Sequence, residues 1–102
     1  MKITAVIVAG GKGTRMGADK NKVFLKILGR EVLYYTISAF EKNDKIDDII
    51  VVTGKNDIEE CQILVDKYGI KKVSYITEGG ATRQESVMNG LKKAEADIVL
   101  IH

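Results

Sequence analysis

Two short runs of β-branched residues constrain the fold more than any other feature of this chain. Ile3-Thr4-Ala5-Val6-Ile7-Val8-Ala9 is apolar at nearly every position, and so is Ile49-Ile50-Val51-Val52. A strand with that pattern buries both faces, which happens where helices cover a parallel sheet on each side. The intervening segments supply those helices. Glu31 to Asn43 carries Leu33, Ile37 and Phe40 at helical spacing, with Val32 and Thr36 beside them. Asp57 is expected to N-cap a second helix, with Glu60 completing a capping box; Ile58, Cys61, Leu64, Val65 and Tyr68 share one face and Gly69 supplies the stop. Lys72–Ile76 reads as a third strand, alternating and therefore near an edge. Thr82 then caps a third helix, again with a glutamate three residues on (Glu85), and Val87, Met88, Leu91 and Ala94 are its expected apolar stripe. Asp97–Ile101 is the fourth strand. With Lys2–Ala9 and Asp48–Thr53 as the first two strands, the alternation predicts an α/β parallel sheet joined by right-handed crossovers.

One connection breaks the rhythm. Roughly twenty residues separate the first strand from the first helix, where two to six are usual, and loops of that length are commonly functional. The loop opens Ala9-Gly10-Gly11-Lys12-Gly13-Thr14-Arg15-Met16-Gly17, and Val23-Phe24-Leu25 gives it an apolar anchor. Glycines at 10, 11, 13 and 17 let the backbone approach a ligand with no Cβ in the way. Between Gly10 and Arg30, Lys12, Arg15, Lys20, Lys22, Lys26 and Arg30 face Asp19 alone, a local charge of +5 in a chain whose total is +2. The rest of the chain is therefore at −3. Positive charge gathered beside a glycine-rich turn suits a polyphosphate.

Composition excludes several classes. With 45% hydrophobic and 29% charged residues in 102, the chain is an ordinary globular domain at most, neither disordered nor membrane-like. No apolar run approaches the roughly 18 residues that span a bilayer. One cysteine, Cys61, excludes an internal disulfide and fits a reducing cytoplasm; its place on an apolar helix face makes it a packing residue. The basic excess sits in one loop rather than along a face, which argues against nucleic acid. His102 is the lone histidine, and no Cys/His cluster exists to hold a metal.

Both common nucleotide motifs fail residue by residue. G-x-G-x-x-G starting at Gly11 requires glycine where Met16 stands, and starting at Gly10 requires it where Lys12 stands; the loop also does not run directly into a helix. No window supplies G-x-x-x-x-G-K-[ST]. What is present, Ala-Gly-Gly-x-Gly-Thr-Arg-Met-Gly after a first strand, resembles the signature of the sugar-phosphate nucleotidyltransferases. Asn21-Lys22-Val23-Phe24-Leu25 is similar to the Pro-Lys-Gln-Phe-Leu segment of the 2-C-methyl-D-erythritol 4-phosphate cytidylyltransferases. Gly79-Gly80-Ala81-Thr82-Arg83-Gln84-Glu85-Ser86-Val87, followed by Gly90 and Leu91, resembles that family's Gly-Gly-x-x-Arg-x-x-Ser-Val. Asn21 replaces the usual proline and Val23 the usual glutamine. Asp19-Lys20 is also similar to the Gly-x-Asp-Lys of molybdopterin guanylyltransferases, but Phe24-Leu25 sets the register that selects Lys22.

The resemblance implies a Rossmann-like nucleotidyltransferase fold with helices on both faces of a mostly parallel sheet. Residues 1–102 would be its nucleotide-binding first half, with the family about twice as long. The implied reaction is attack of a sugar-alcohol phosphate on the α-phosphorus of CTP, releasing pyrophosphate, in non-mevalonate isoprenoid precursor synthesis. Ribitol 5-phosphate as acceptor, or a fragment that binds nucleotide without catalysis, are the alternatives. By resemblance, Arg15 and Lys22 clamp the phosphates and are catalytic, while Ala9, Gly10, Gly11 and Gly13 cradle the triphosphate. Gly79, Gly80, Arg83 and Ser86 form the base and ribose side. Ser86 has a second reading, a helix hydroxyl bonding back to the carbonyl of Thr82, and Arg83 a second one as an exposed first-turn side chain. An arginine there opposes the helix dipole, which favours an anionic partner. Mg2+ would bridge the CTP phosphates, with its aspartate expected just past His102. A cytoplasmic homodimer completes what the resemblance implies.

Overall fold

The computed structural model describes residues 1–9, 26–27 and 30–102. Four strands, β1 (Ile3–Val8), β4 (Asp48–Thr53), β5 (Val73–Glu78) and β6 (Ile98–Ile101), form one parallel sheet in the order β5-β4-β1-β6. Between β1 and β4 lie β2 (Lys26–Ile27), β3 (Arg30–Glu31) and the helix α1 (Val32–Glu41). Helix α2 (Ile58–Lys67) joins β4 to β5, and α3 (Arg83–Lys93) joins β5 to β6.

Chain order explains the layers. The chain steps from β1 to β4 to β5 in one direction, then crosses back through α3 to pair β6 with the other side of β1. Right-handed crossovers in opposite directions put their helices on opposite faces. Two cores result. Ala5, Ile7, Ile49 and Val51 pack with Leu33, Ile37, Cys61 and Leu64 under α1 and α2. Val6, Ile50 and Val52 face the other way, with Val8, Ala94 and Val99. Successive residues of β1 and β4 thus serve opposite cores, which is why both strands are apolar without alternation.

The strand starts are closed by carboxylates. Asp47 accepts the N–H of Ile3 and Asp97 that of Lys2, each at 2.8 Å. Asp48 accepts hydroxyl bonds from Thr4 and from Ser74, the latter at 3.1 Å. Helix α2 ends as its glycine requires: Gly69 has φ +64°, its N–H reaches the Asp66 carbonyl at 3.3 Å, and Ile70 N–H reaches Val65 at 3.1 Å. These two bonds make a Schellman cap.

Three expectations need correction. The helix expected over 31–43 is shorter, Val32–Glu41, because Glu31 pairs with Lys26 in the antiparallel β2–β3 ladder. Nothing in the sequence pattern marked that pairing inside the long connection. Asp57 does stand at the N-cap of α2, but its side chain makes no cap bond; a 3-10 turn, Lys55–Asp57, leads into the helix instead. The stripe expected on α3 is displaced by about one position. Ser86 and Gly90 are its buried residues, whereas Met88 is 50% and Leu91 37% exposed. The third strand is at an edge of this sheet, as its alternation predicted.

Candidate functional site

In an open parallel sheet the mouth for a ligand lies outside the carboxyl ends of the strands, where the chain direction reverses. Here that edge is organised by β4. Ala9 N–H, just past β1, donates to the Val52 carbonyl at 2.7 Å, and Gly79 N–H, just past β5, donates to the Thr53 carbonyl at 2.8 Å. Ala9 and Gly79 therefore flank the end of β4 from its two sides, about 10 Å apart by strand spacing. The glycine-rich stretch departs from one flank and the Gly79–Thr82 turn from the other. On the far side of β1, Val8 N–H donates to the His102 carbonyl at 3.1 Å and His102 N–H to the Val6 carbonyl at 3.0 Å.

The turn after β5 is gripped by the first two turns of α3. Thr82 adopts the extended backbone of an N-cap and its hydroxyl accepts the Glu85 N–H at 3.1 Å, as the sequence predicts. The Glu85 carboxylate reaches back to the N–H of Ala81 at 2.7 Å, one residue before the cap. Ser86 is 4% exposed, and its hydroxyl accepts the Gly80 N–H at 3.1 Å. That overturns the reading in which Ser86 bonds back to Thr82: only its backbone N–H does so, at 3.0 Å. Among the described residues the hydroxyl proton has no acceptor. A Cβ on Gly79 would sit 2.6 Å from Ser86 Oγ, so the glycine is required for the hydroxyl to reach the turn.

Two further residues belong to the site that sequence reasoning did not assign to it. Asn89 donates from Nδ2 to the Glu78 carbonyl at 3.0 Å, and that contact with a carbonyl fixes which end of the amide faces the strand. An asparagine inside a helix is a weak helix former whose amide prefers an outside partner, and that was the available signal. Thr53, at the end of β4, has a fully buried hydroxyl with no hydrogen-bond partner among the described residues. A groove of about 370 Å³ opens beside the turn, lined by Thr77, Glu78, Gly79, Asn89, Lys92 and Lys93.

Of the expected site residues, Ala9 stands on one flank of β4 and Gly79, Gly80, Arg83 and Ser86 on the other. Arg83 is exposed at the first position of α3, with no ion pair among the described residues. Gly10, Gly11, Gly13, Arg15 and Lys22 lie outside the described residues, as do Lys12 and Lys20. Among the described residues no group of three or more His, Cys, Asp or Glu is placed to hold a metal ion. Cys61 is wholly buried, and desolvation, with the Asp57 carboxylate a lesser cause, pushes its thiol from 9.0 up to about 12. It is a packing residue.

Known proteins resemble the chain in sequence and in fold. The family profile described as IspD, 2-C-methyl-D-erythritol 4-phosphate cytidylyltransferase, matches residues 3–102. A protein of that name from Clostridium botulinum (strain Langeland) is 48% identical over 103 aligned positions, covering 99% of this chain and 45% of the relative. The crystal structure of 4-diphosphocytidyl-2C-methyl-D-erythritol synthase from Anaerococcus prevotii superposes with a TM-score of 0.79 at 32% identity, covering 99% of this chain and 42% of that one. The inositol-1-phosphate CTP transferase of T. maritima shares the fold alone, with a TM-score of 0.75 at 19% identity over 96% of this chain and 41% of its own. The chain spans a little under half the length of the curated relatives it matches.

Proposed function

The chain belongs to the 2-C-methyl-D-erythritol 4-phosphate cytidylyltransferase family, and from that premise we propose that its protein transfers a cytidylyl group from CTP to 2-C-methyl-D-erythritol 4-phosphate with release of pyrophosphate. Residues 1–102 are its nucleotide-binding part. The observation that carries this reading is the shared carboxyl edge of the sheet. The glycine-rich basic stretch leaves β1 on one side of β4, and the Gly79–Ser86 turn leaves β5 on the other. One flank supplies charge for a triphosphate and the other a side-chain-free surface for a base. The names of the relatives favour the erythritol acceptor over ribitol 5-phosphate.

The chemistry asks little covalent work of the protein. A phosphate oxygen of the acceptor attacks the α-phosphorus in line, the bond to the β-phosphate oxygen breaks, and pyrophosphate leaves. Catalysis is then positioning and neutralisation of charge on the phosphoryl oxygens. Backbone N–H groups of Gly10, Gly11 and Gly13 would receive the triphosphate; Arg15 and Lys22 would hold the α- and leaving phosphates through the transition state. Ser86, with its proton free, would donate to the nucleoside, and Arg83 stands exposed beside it. Mg2+, cytoplasmic location and homodimerisation belong to the same proposal; for location, no helix among the described residues is long and apolar enough to cross a membrane.

Pyrophosphate release in the presence of the erythritol phosphate, compared across CTP, UTP, ATP and GTP, tests the reading. CTP should be used far better than the others, and Arg15→Ala and Lys22→Ala should each lower turnover by at least about a hundredfold. Equal use of all four nucleotides, or wild-type rates in both variants, would remove the assignment.

A further inference from the structure

The Gly79-Gly80 turn is more tightly specified than a close backbone approach requires. Three consecutive peptide units are each tied by a hydrogen bond. In the unit joining Glu78 to Gly79, the N–H is held by the Thr53 carbonyl and the C=O by Asn89 Nδ2. Gly79 N–H points at β4, so the Glu78 carbonyl points to the open side of an edge strand, where only a side chain can take it. In the next unit Gly80 N–H is held by Ser86 Oγ, and in the third Ala81 N–H is held by the Glu85 carboxylate.

A trans peptide is planar, and its N–H and C=O point in opposite directions. Tying the N–H groups of Gly80 and Ala81 to α3 therefore turns the carbonyls of Gly79 and Gly80 away from that helix. Neither carbonyl accepts a hydrogen bond among the described residues. The turn offers two neighbouring acceptors, while the donors of the same units are consumed. Such a surface accepts from an exocyclic amino group and repels a carbonyl oxygen. Cytosine and uracil differ there, carrying an amino group and a carbonyl respectively at the same ring position.

We infer that Glu85 and Asn89 are positioning residues for nucleobase choice: they fix the peptide planes on either side of Gly79-Gly80 so that its carbonyls meet an amino group. This rests on the cytidylyl-transfer reading above. Without Glu85 the Gly80–Ala81 peptide has no tie left among the described residues, and without Asn89 the Glu78–Gly79 unit keeps only its bond to Thr53, so these units turn more readily, since glycine imposes little φ/ψ restriction of its own. A flipped unit would present an N–H instead and admit uracil. The groove alongside is open, so neither residue is needed to fill a core.

The test compares kcat and KM for CTP and UTP in the purified protein, wild type against Asn89→Asp, Asn89→Gln and Glu85→Ala. Asn89→Asp keeps the shape and removes the donor; Asn89→Gln keeps the donor; Glu85→Ala removes the acceptor. Losing one such bond should lower the CTP-to-UTP ratio of kcat/KM about fivefold, carried by KM, with recovery in Asn89→Gln. An unchanged ratio in Asn89→Asp and Glu85→Ala overturns the inference, as does an equal loss for both nucleotides. If Asn89→Asp does not fold, Asn89→Ala carries the same comparison. A wild-type protein with no preference for CTP instead fails the underlying reading, and the two failures are distinguishable.

Discussion

Replacing Gly90 by alanine should destabilise the protein although it replaces a poor helix former with the best one. Gly90 sits in the third turn of α3 on the side pressed against the sheet. A Cβ there would lie 2.6 Å from Val6 Cγ1 and 3.0 Å from Val52 Cγ2. Carbon atoms rest about 3.5–4.0 Å apart, so roughly 1 Å of room is missing. Both valines are fully buried in central strands and, being β-branched, turn stiffly about χ1. The helix has to give way. Overpacking of this kind costs about 2–3 kcal/mol, against a propensity gain of about 1 kcal/mol, leaving a net loss of about 1–2 kcal/mol. Urea unfolding reads this directly. Val6→Ala alone opens a cavity and costs about 2 kcal/mol. In the double variant the new methyl occupies part of the vacated space, so the two changes should couple favourably by about 1 kcal/mol. Additive effects, or a Gly90→Ala protein more stable than wild type, would refute the steric argument. Gly69 is the internal comparison. Its φ is +64° and nothing lies within 4 Å of a Cβ built there. Gly69→Ala should cost about 1 kcal/mol through backbone strain alone, and Gly69→Asn less.

Three other outcomes are expected. Thr82→Ala removes the hydroxyl that accepts Glu85 N–H and should cost about 1 kcal/mol in urea unfolding; Thr82→Ser should restore most of it. Thr53→Val replaces a buried hydroxyl that has no partner among the described residues with a methyl of similar shape, and should raise stability by about 1 kcal/mol; a clear loss would mean the hydroxyl is satisfied. Cys61 should alkylate far more slowly at pH 8 than an unfolded thiol, because it is wholly buried and that burial holds the thiol protonated up to about 12. Its folded value is raised, so its contribution to stability is full below pH 9 and is lost as pH climbs toward 12.

Much of the fold was legible because strong local patterns agreed with the packing. The limits of β4 coincide with the expected Asp48–Thr53, and both Thr82 and Gly69 perform the terminal roles their chemistry suggests. The misreadings have a common cause. On α3 the expected stripe chose Met88 and Leu91 because they are the large apolar residues, whereas the sheet is approached through Ser86 and Gly90. A helix that must lie close to a flat layer uses small residues there, and hydrophobic periodicity does not register them. Likewise Asp57 has the right type and spacing for a capping box, but a preceding 3-10 turn sets a backbone at which its side chain makes no cap bond.

For the proposed site, residue types and order along the chain pointed to the segments suited to phosphate and base chemistry, since glycines, clustered cations and a helix cap are local properties. The sequence also determined the parallel α/β class, through strands that must be covered on both faces. Only the tertiary structure decided that Ala9 and Gly79 flank the same strand end, some seventy positions apart. It alone turned the Ser86 hydroxyl toward Gly80 and brought Asn89 to the open-edge carbonyl of Glu78. The physical reason is that these are hydrogen bonds across elements. Their partners are chosen by sheet order and by how closely α3 lies on the sheet, which is governed by the absence of a side chain at Gly90.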